Sequence, residues 1–355
     1  MAGTTGTVDP PEPAGPRVLT LLHAVVDGGR VWFCFSPVDD GEVGPALGSP
    51  LPASGLDYGE IFSTGSLTGL DLVSDSFQPW VIEGDLSELE GLDCRQALDQ
   101  AASYARAWPP TAEGGAGGVS GDTASSAGAA GMAGAAGMAG AAGIAGMAGA
   151  AGAGVELYPP PPLQALPLPV IPAGTLSGER SYLLAARGCM GGGTLHSAEW
   201  QEGLCGAGYS PTSPTLAPVL VMLSRVSEAD ALGVQVVHAT SDSRPLEIRS
   251  VGPASSQSLA RDVAPDAIKP RTADLDHSAS EYGDPVADAV LEVLESGTVR
   301  HSQTWGSAWM GSDLAALSDG HTLAVVVIGP SLGFLPGSWH HGSNLTIFET
   351  TRTVP

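Results

Sequence analysis

Positively charged side chains are scarce in this sequence. Its 355 residues include 14 Lys and Arg against 38 Asp and Glu, which gives a formal net charge of −24, and Lys269 is the only lysine. Proteins that bind nucleic acid or anionic membrane surfaces place many cationic groups against phosphates. The composition therefore predicts neither kind of partner.

Signatures of targeting and of common cofactor sites are also missing. Residues 1–16 have neither the basic region nor the apolar core of a signal peptide. Small residues, Thr, Pro and Asp predict a disordered tether there. There is no P-loop, no H-E-x-x-H and no G-x-G-x-x-G followed by an acidic partner, so we expect no cofactor and no metal. We interpret the chain as extracytoplasmic, in the cell envelope or secreted, with a leader not present in this sequence.

Cysteine is rare, with four residues and no C-x-x-C pair. Cys189 and Cys205 bracket a glycine-rich loop, and a disulfide between them would stabilise the fold by about 3 kcal/mol in an oxidising compartment. In a reducing compartment they would be free thiols, and with His196 they could supply three zinc ligands, although the spacing C-x6-H-x8-C matches no usual zinc site. The disulfide is the favoured interpretation. The state of Cys34 and Cys94 stays open.

What the sequence does contain is an internal duplication. Residues 19–35, LTLLHAVVDGGRVWFCF, align without a gap with residues 234–250, VQVVHATSDSRPLEIRS. Each copy has an apolar run ending in His-Ala, a polar turn with an Asp, and a second run, a pattern typical of a β-hairpin. A histidine at a strand end beside a turn commonly bonds to backbone carbonyls, so His23 and His238 are predicted to be structural.

Three later segments repeat in the same order. They are LSGERSYLLAARG at 176–188 with LSDGHTLAVVVIG at 317–329, the closing strands 215–226 and 344–354, and Asp57-Tyr58-Gly59-Glu60 with Glu281-Tyr282-Gly283-Asp284. The acid-Tyr-Gly-acid pair predicts a turn with a tyrosine packed on the sheet. Tyr58 and Tyr282 are therefore expected to be structural and equivalent.

Short strands separated by turn signals predict an all-β fold of two tandem immunoglobulin-like β-sandwiches. Gly and Pro total 78 residues, 49 plus 29, which suits turn-rich β structure. We place the tether at 1–16, the first sandwich at 17–225 and the second at 226–355. An insertion of about 65–172 is assigned to the first copy alone, and strands at 286–294 and 299–304 are expected as additions in the second.

The insertion should hold one helix and a low-complexity segment. Apolar residues at helical spacing predict a helix over 85–108, with Ser87 and Glu90 as a possible capping box. Residues 111–154 are built on the hexapeptide AAGMAG. Gly and Ala contribute little transfer free energy, so this segment is predicted to be a solvated loop and not a transmembrane span. A self-associating Gly/Ala patch is the alternative.

Three weaker sequence patterns have simpler explanations than a functional site. Gly329-Pro330-Ser331-Leu332-Gly333 matches G-x-S-x-G, with His340 and His341 behind it, but Pro336 and Gly337 prevent the helix that a nucleophile elbow needs. Asp39, Asp40 and Glu42 lie in an expected loop at 37–52, without the spacing of a calcium site. Asn344-Leu345-Thr346 is a glycosylation sequon, a pattern that is common by chance.

Both His-Ala hairpins resemble the bacterial domain-of-unknown-function family 4397, whose members carry V-x-V-x-H-A, a short turn and a second strand. Residues 234–239 with Asp242, and residues 19–24 with Asp27, carry the match. The resemblance implies an immunoglobulin-like domain of the cell envelope or a secreted protein, often lipid-anchored or part of a larger surface protein, without known enzymatic activity. The first copy departs from the family by its insertion and its Leu-rich first strand.

Together these observations predict a non-catalytic extracytoplasmic surface or binding module. Its partner would be a protein or an envelope component, with a lipid anchor possible only on a leader outside this sequence. One alternative is a serine hydrolase that uses Ser331. The other is a structural envelope component that associates through the Gly/Ala segment.

Overall fold

A computed structural model describes residues 18–107, 163–176, 180–191, 201–210, 213–225, 233–241, 244–252, 256–271, 289–311, 322–330, 336 and 340–350. The tether, the Gly/Ala segment at 111–154, His196, Asp242, Tyr282 and Ser331 lie outside these residues. No helix in the described part of the chain is long and apolar enough to cross a membrane.

The described chain is mostly β-strand. The strands of copy one are β1 Val18–Val25, β2 Val31–Asp39, β3 Glu42–Val43, β4 Leu47–Leu56, β5 Ile61–Thr64, β6 Ser76–Gly84, β7 Leu163–Pro167, β8 Ser181–Gly188 and β9 Ala217–Leu223. Its helices are α1 Leu86–Leu89, α2 Cys94–Ala107 and α3 Gln201–Cys205. Copy two holds β10 Gly233–Thr240, β11 Leu246–Val251, β12 Ser256–Val263, β13 Ile268–Arg271, β14 Val290–Glu295, β15 Thr298–Thr304, α4 Trp305–Ala308, β16 Thr322–Gly329 and β17 Asn344–Glu349.

Each copy forms one inner and one outer sheet. The inner sheets have the strand orders β5-β1-β8-β9 and β13-β10-β16-β17, and the outer sheets β3-β2-β6-β7, with β4 also paired to β2, and β12-β11-β14-β15. The registers agree residue for residue, since Leu19 pairs with Tyr182 and the aligned Val234 pairs with Leu323. The all-β sandwich fold and the duplication are thus confirmed.

The two sandwiches pack against each other through their inner sheets. Leu22 and Leu183 of copy one share a buried cluster with Val237 and Val326 of copy two. Two further clusters fill the space between inner and outer sheet of each copy. The result is a stack of four sheets whose inner two are covered on both faces, which explains why β1 and β16 are buried along their whole length and β8 at all but one residue.

The central pair of each inner sheet is parallel. β1 runs parallel to β8, and β10 runs parallel to β16. Parallel neighbours need a long crossover connection, and here the crossover builds the outer sheet. Immunoglobulin domains consist of antiparallel sheets. The sequence predicted immunoglobulin-like sandwiches, and it therefore did not indicate this parallel pairing.

The insertion in copy one is shorter than predicted. β6 and β7 lie within residues 65–172, yet β6 pairs with β2 as β14 pairs with β11, and β7 pairs with β6 as β15 pairs with β14. The strands expected as additions in copy two are therefore the counterparts of β6 and β7. What is particular to copy one is the chain between β6 and β7.

The expected loop at 37–52 is also wrong. β2 continues to Asp39 and returns as β3 through Asp40 and Gly41, which have φ of 49° and 83°. Positive φ at both central residues is the type I′ hairpin turn that Asp-Gly favours. The carboxylates at 39, 40 and 42 thus belong to a tight hairpin.

The helical stretch is interrupted at Gly91, which has a φ of 78°. The predicted Ser87–Glu90 capping box is wrong, because α1 has no side-chain cap. The capping box belongs to α2 instead: Gln96 N donates to Asp93 Oδ1 at 2.8 Å, and Asp93 N donates to Gln96 Oε1 at 3.0 Å. A disulfide between Cys34 of β2 and Cys94 holds α2 on the outer sheet.

Candidate functional site

His23 closes the turn between β1 and β2. Its Nε2 lies 2.6 Å from Gly29 O, and its Nδ1 accepts a hydrogen bond from Val25 N at 3.1 Å. Because Nδ1 is an acceptor, Nε2 carries the proton and donates it to the carbonyl. Complete burial lowers the pKa of His23 to about 3, so the ring is neutral.

His238 has the same role in copy two. Its Nε2 lies 3.0 Å from Arg244 O, and Thr240 N lies 3.4 Å from Nδ1. Both histidines are fully buried. Each ring therefore holds its hairpin turn to the end of the preceding strand, in agreement with the predicted structural role.

The turn before β5 has a different counterpart from the one predicted. Gly59 N donates to His23 O, and Asp266 N donates to His238 O, so residues 57–60 correspond to residues 264–267. Pro265 thus stands where Tyr58 stands. Residues 281–284 follow β13 in the chain, whereas residues 57–60 precede β5, so the equivalence of Tyr58 with Tyr282 is wrong. Strand order decides this, and a four-residue resemblance does not.

Tyr58 and His341 join the two copies at one end of the stack. Their rings stack with centroids 4.1 Å apart, and Tyr58 Oη donates to Gly342 O at 3.0 Å. The His341 Nε2 lies 2.9 Å from Gly28 O. Burial lowers the pKa of His341. The histidine that follows the G-x-S-x-G pattern is thus engaged in a contact between the copies.

The glycosylation sequon lies at the same junction. Thr346 is buried and its hydroxyl donates to Gly59 O at 2.9 Å. A Cβ added at Gly59 would lie only 2.8 Å from Asn344 Nδ2, which shows how closely the asparagine packs. The structure assigns Asn344 a packing role between the copies.

A cluster of acids lies beside the first hairpin turn. Asp27 accepts hydrogen bonds from Met190 N at 2.7 Å and from Gly191 N at 2.9 Å. Desolvation raises the pKa of Asp27 to about 6. Glu83 accepts from Gly29 N at 2.6 Å, and desolvation, followed by the charge of Asp27, raises its pKa to about 7. These carboxyls tie the hairpin turn to the end of β8 and to β6.

Cys189 and Cys205 form a disulfide with a Cα separation of 5.2 Å. Their sulfurs and a carboxylate oxygen of Asp27 lie within 4.8 Å of one another. Metal ligation requires thiolates, and both sulfurs are committed to the disulfide, so this trio does not form a metal site in the oxidised protein. Two disulfides in the described chain are typical of an oxidising, extracytoplasmic environment.

An open groove of about 790 Å³ lies on the outer face of copy one. Its lining includes Trp80 and Ser36, whose side chains are joined by a 3.1 Å hydrogen bond from Trp80 Nε1. Ala102 and Ala105 of α2 form one wall, and residues 163–166 of β7 border it. Cavities of this volume with a mostly apolar lining are typical of ligand sites.

Sequence reasoning missed the groove, although a signal was present. In β2, Phe33 and Phe35 point into the sandwich, whereas Trp32 and Cys34 lie in the cluster under α2. Alternate residues of a strand point to opposite faces, so apolar residues at both odd and even positions indicate that both faces are covered. The run VWFCF therefore signalled a second apolar face, but not which elements would cover it or where they would leave a gap.

In comparisons with known proteins, no protein-family model matches this chain, and no curated protein matches it.

Proposed function

We propose that this protein is a non-catalytic extracytoplasmic binding module and that the groove beside α2 is its ligand site. The observation that carries the proposal is the groove itself, a concave, mostly apolar surface with a tryptophan in its lining. Tryptophan combines a large apolar area with low conformational entropy, which makes it effective in binding sites.

Three further observations support the proposal. The paired cysteines favour an oxidising compartment, and the resemblance of both His-Ala hairpins to the envelope family 4397 leads to the same location. The groups that sequence reasoning marked for chemistry also serve the fold: His23 and His238 are hydrogen-bonded in their turns, and His341 packs between the copies.

The groove can be blocked without disturbing the core. Ala102 is an exposed groove-lining residue of α2, and Ser103 is an exposed neighbour that does not line the groove. Ala102→Phe should fill the groove, whereas Ser103→Phe adds the same ring about 100° around the helix. Both variants should keep the wild-type melting temperature.

The test uses a small, uncharged apolar fluorophore, N-phenyl-1-naphthylamine, titrated into the folded proteins. We expect saturable binding to wild type and to Ser103→Phe, and at least roughly tenfold weaker binding to Ala102→Phe, since the ring occupies the space that the probe needs. Equal binding to all three proteins, or none to wild type, would contradict the proposed site.

A further inference from the structure

We propose that the groove binds an extended polypeptide segment with small, uncharged side chains, which adds as a strand along the free edge of β7. This inference rests on the proposed function of the groove and names its ligand class. It starts from the way in which β7 borders the groove.

Four consecutive residues of β7, 163–166, line the groove. Leu163 and Ala165 belong to the cluster under α2, whereas Leu166 packs against the core between the two sheets. Successive side chains of a strand point to opposite faces, so a groove over one face would touch only alternate residues. Contact with all four means that the groove extends along the backbone edge of β7.

That edge is open to pairing in the described part of the chain. β7 pairs with β6 on one side, and it is the terminal strand of its sheet in the order β3-β2-β6-β7. Every second backbone N–H and C=O of a terminal strand points away from the sheet, which provides a template for a further strand. Strand addition to such an edge is an established mode of peptide recognition.

The wall opposite the edge suits a peptide backbone with small side chains. Along α2, the apolar lining residues are Leu98, Ala101, Ala102 and Ala105, and the methyl groups of the three alanines leave room for the close approach of a backbone. Larger side chains at these positions would fill the space that an added strand requires. A strand that lies this close to α2 has room only for small side chains on the side that faces the helix, such as those of alanine, valine and glycine.

The charged residues that line the groove balance each other, which favours an uncharged ligand. Its charged lining residues are Arg95 and Asp99, one of each sign, 4.0 Å apart and both more than two-thirds exposed. The chain as a whole has a net charge of −24, so a neutral lining is a local exception. A peptide that lacks charged groups loses no hydration energy of ions on entering the groove.

The test measures the binding of three end-blocked hexapeptides, made of alanine, valine and glycine, to the full-length protein. One peptide is unmodified, one carries N-methyl groups on its odd residues and one on its even residues. Because only alternate backbone groups of the peptide face β7, we expect one methylated peptide to bind about tenfold or more weakly, as loss of two or three hydrogen bonds implies. The other should bind like the unmodified peptide.

Amide hydrogen exchange gives an independent readout. Binding of the unmodified peptide should slow exchange within residues 163–167 in wild type and in Ser103→Phe, but not in Ala102→Phe. Equal weakening by both methylation patterns, or no slowing of exchange in β7, would overturn strand addition.

The outcomes separate this inference from the proposed function. If the small fluorophore binds wild type and is blocked by Ala102→Phe while no peptide binds, the groove remains a ligand site and the peptide proposal is wrong. Peptide binding seen only after deletion of residues 111–154 would mean that this chain's own segment competes for the groove, and would overturn the assignment to a separate partner.

Discussion

The outer faces of the two copies have opposite chemistry at equivalent positions. In copy one, Cys34 pairs with Trp80 across β2 and β6, and both lie in the apolar cluster under α2. At the matching positions of copy two, Arg249 pairs with Glu292 across β11 and β14, with a 2.5 Å ion pair. One face is built to be covered, and the other is built to be exposed to water.

The comparison shows that the two copies share the same physical constraint in their inner sheets and not on their outer faces. The inner sheets of both copies face each other, so their side chains must be apolar on both faces and their registers agree. An outward position has no partner in the other copy, and it can carry an ion pair or a tryptophan without disturbing the stack. The groove lies where the outward positions are apolar.

A second pair of equivalent residues differs in the same way. Glu83 of β6 accepts a hydrogen bond from Gly29 N. Its counterpart at the end of β14, Glu295, forms ion pairs with Arg244 and Arg300. The carboxyl at this position is therefore next to another acid, Asp27, in copy one and between two cations in copy two.

The largest expected effect is on α2, the 14-residue helix on the outer sheet of copy one. Cys34→Ser with Cys94→Ser opens a loop of sequence separation 60, and the chain-entropy relation gives a loss of about 4 kcal/mol in the free energy of unfolding. The shorter Cys189–Cys205 loop, of separation 16, should cost about 3 kcal/mol when both cysteines are replaced. Urea unfolding of the two double variants measures the difference. A larger loss for the shorter loop would contradict the expectation that the disulfide closing the longer loop contributes more stability.

The two turn histidines should respond nearly alike. His23→Ala or His238→Ala leaves a backbone carbonyl of the turn without its donor and creates a cavity where the fully buried ring was, so each should lower the free energy of unfolding by about 3 kcal/mol. His23 also has edge contacts with Tyr58 and His341, at centroid distances of 5.7 and 6.2 Å, so its loss should be slightly the larger. If one variant were as stable as wild type, the equivalence of the two turns would be refuted.

The matched glutamates should respond with opposite sign. The pKa of Glu83 is raised to about 7 from 4.5, so its ionisation opposes folding as pH rises through 7, and the stability that the protonated form contributes is fully present below about 4.5. Glu83→Gln should therefore stabilise the protein above pH 7, on the order of 2 kcal/mol. That gain should vanish towards pH 4.5.

Glu295→Gln removes an ionic partner from Arg244 and Arg300, and should destabilise the protein at neutral pH by about 2 kcal/mol. Thermal unfolding of both variants and wild type from pH 4.5 to pH 8 makes the comparison. A gain from both substitutions, or a pH-independent effect of Glu83→Gln, would show that the two carboxyls do not differ as described.

Part of the site could be read from the sequence and part could not. The hairpin histidines and the Cys189–Cys205 bridge are encoded by neighbours in the chain, and the local pattern was sufficient to propose their roles. Cys34 and Cys94, the acid cluster of Asp27 and Glu83, and the groove depend on contacts between segments far apart in the chain. No local periodicity specifies such contacts.

The sequence alone determined the inner strands β1, β8, β10 and β16 and their duplication, because the gapless alignment of these strands reflects side chains that must be buried on both faces. Only the tertiary structure decided that the two sandwiches share a core, that β6 and β7 belong to the repeated fold, and that a groove remains beside α2. These features depend on which surfaces meet, and burial between distant segments is decided by the packing of the whole chain.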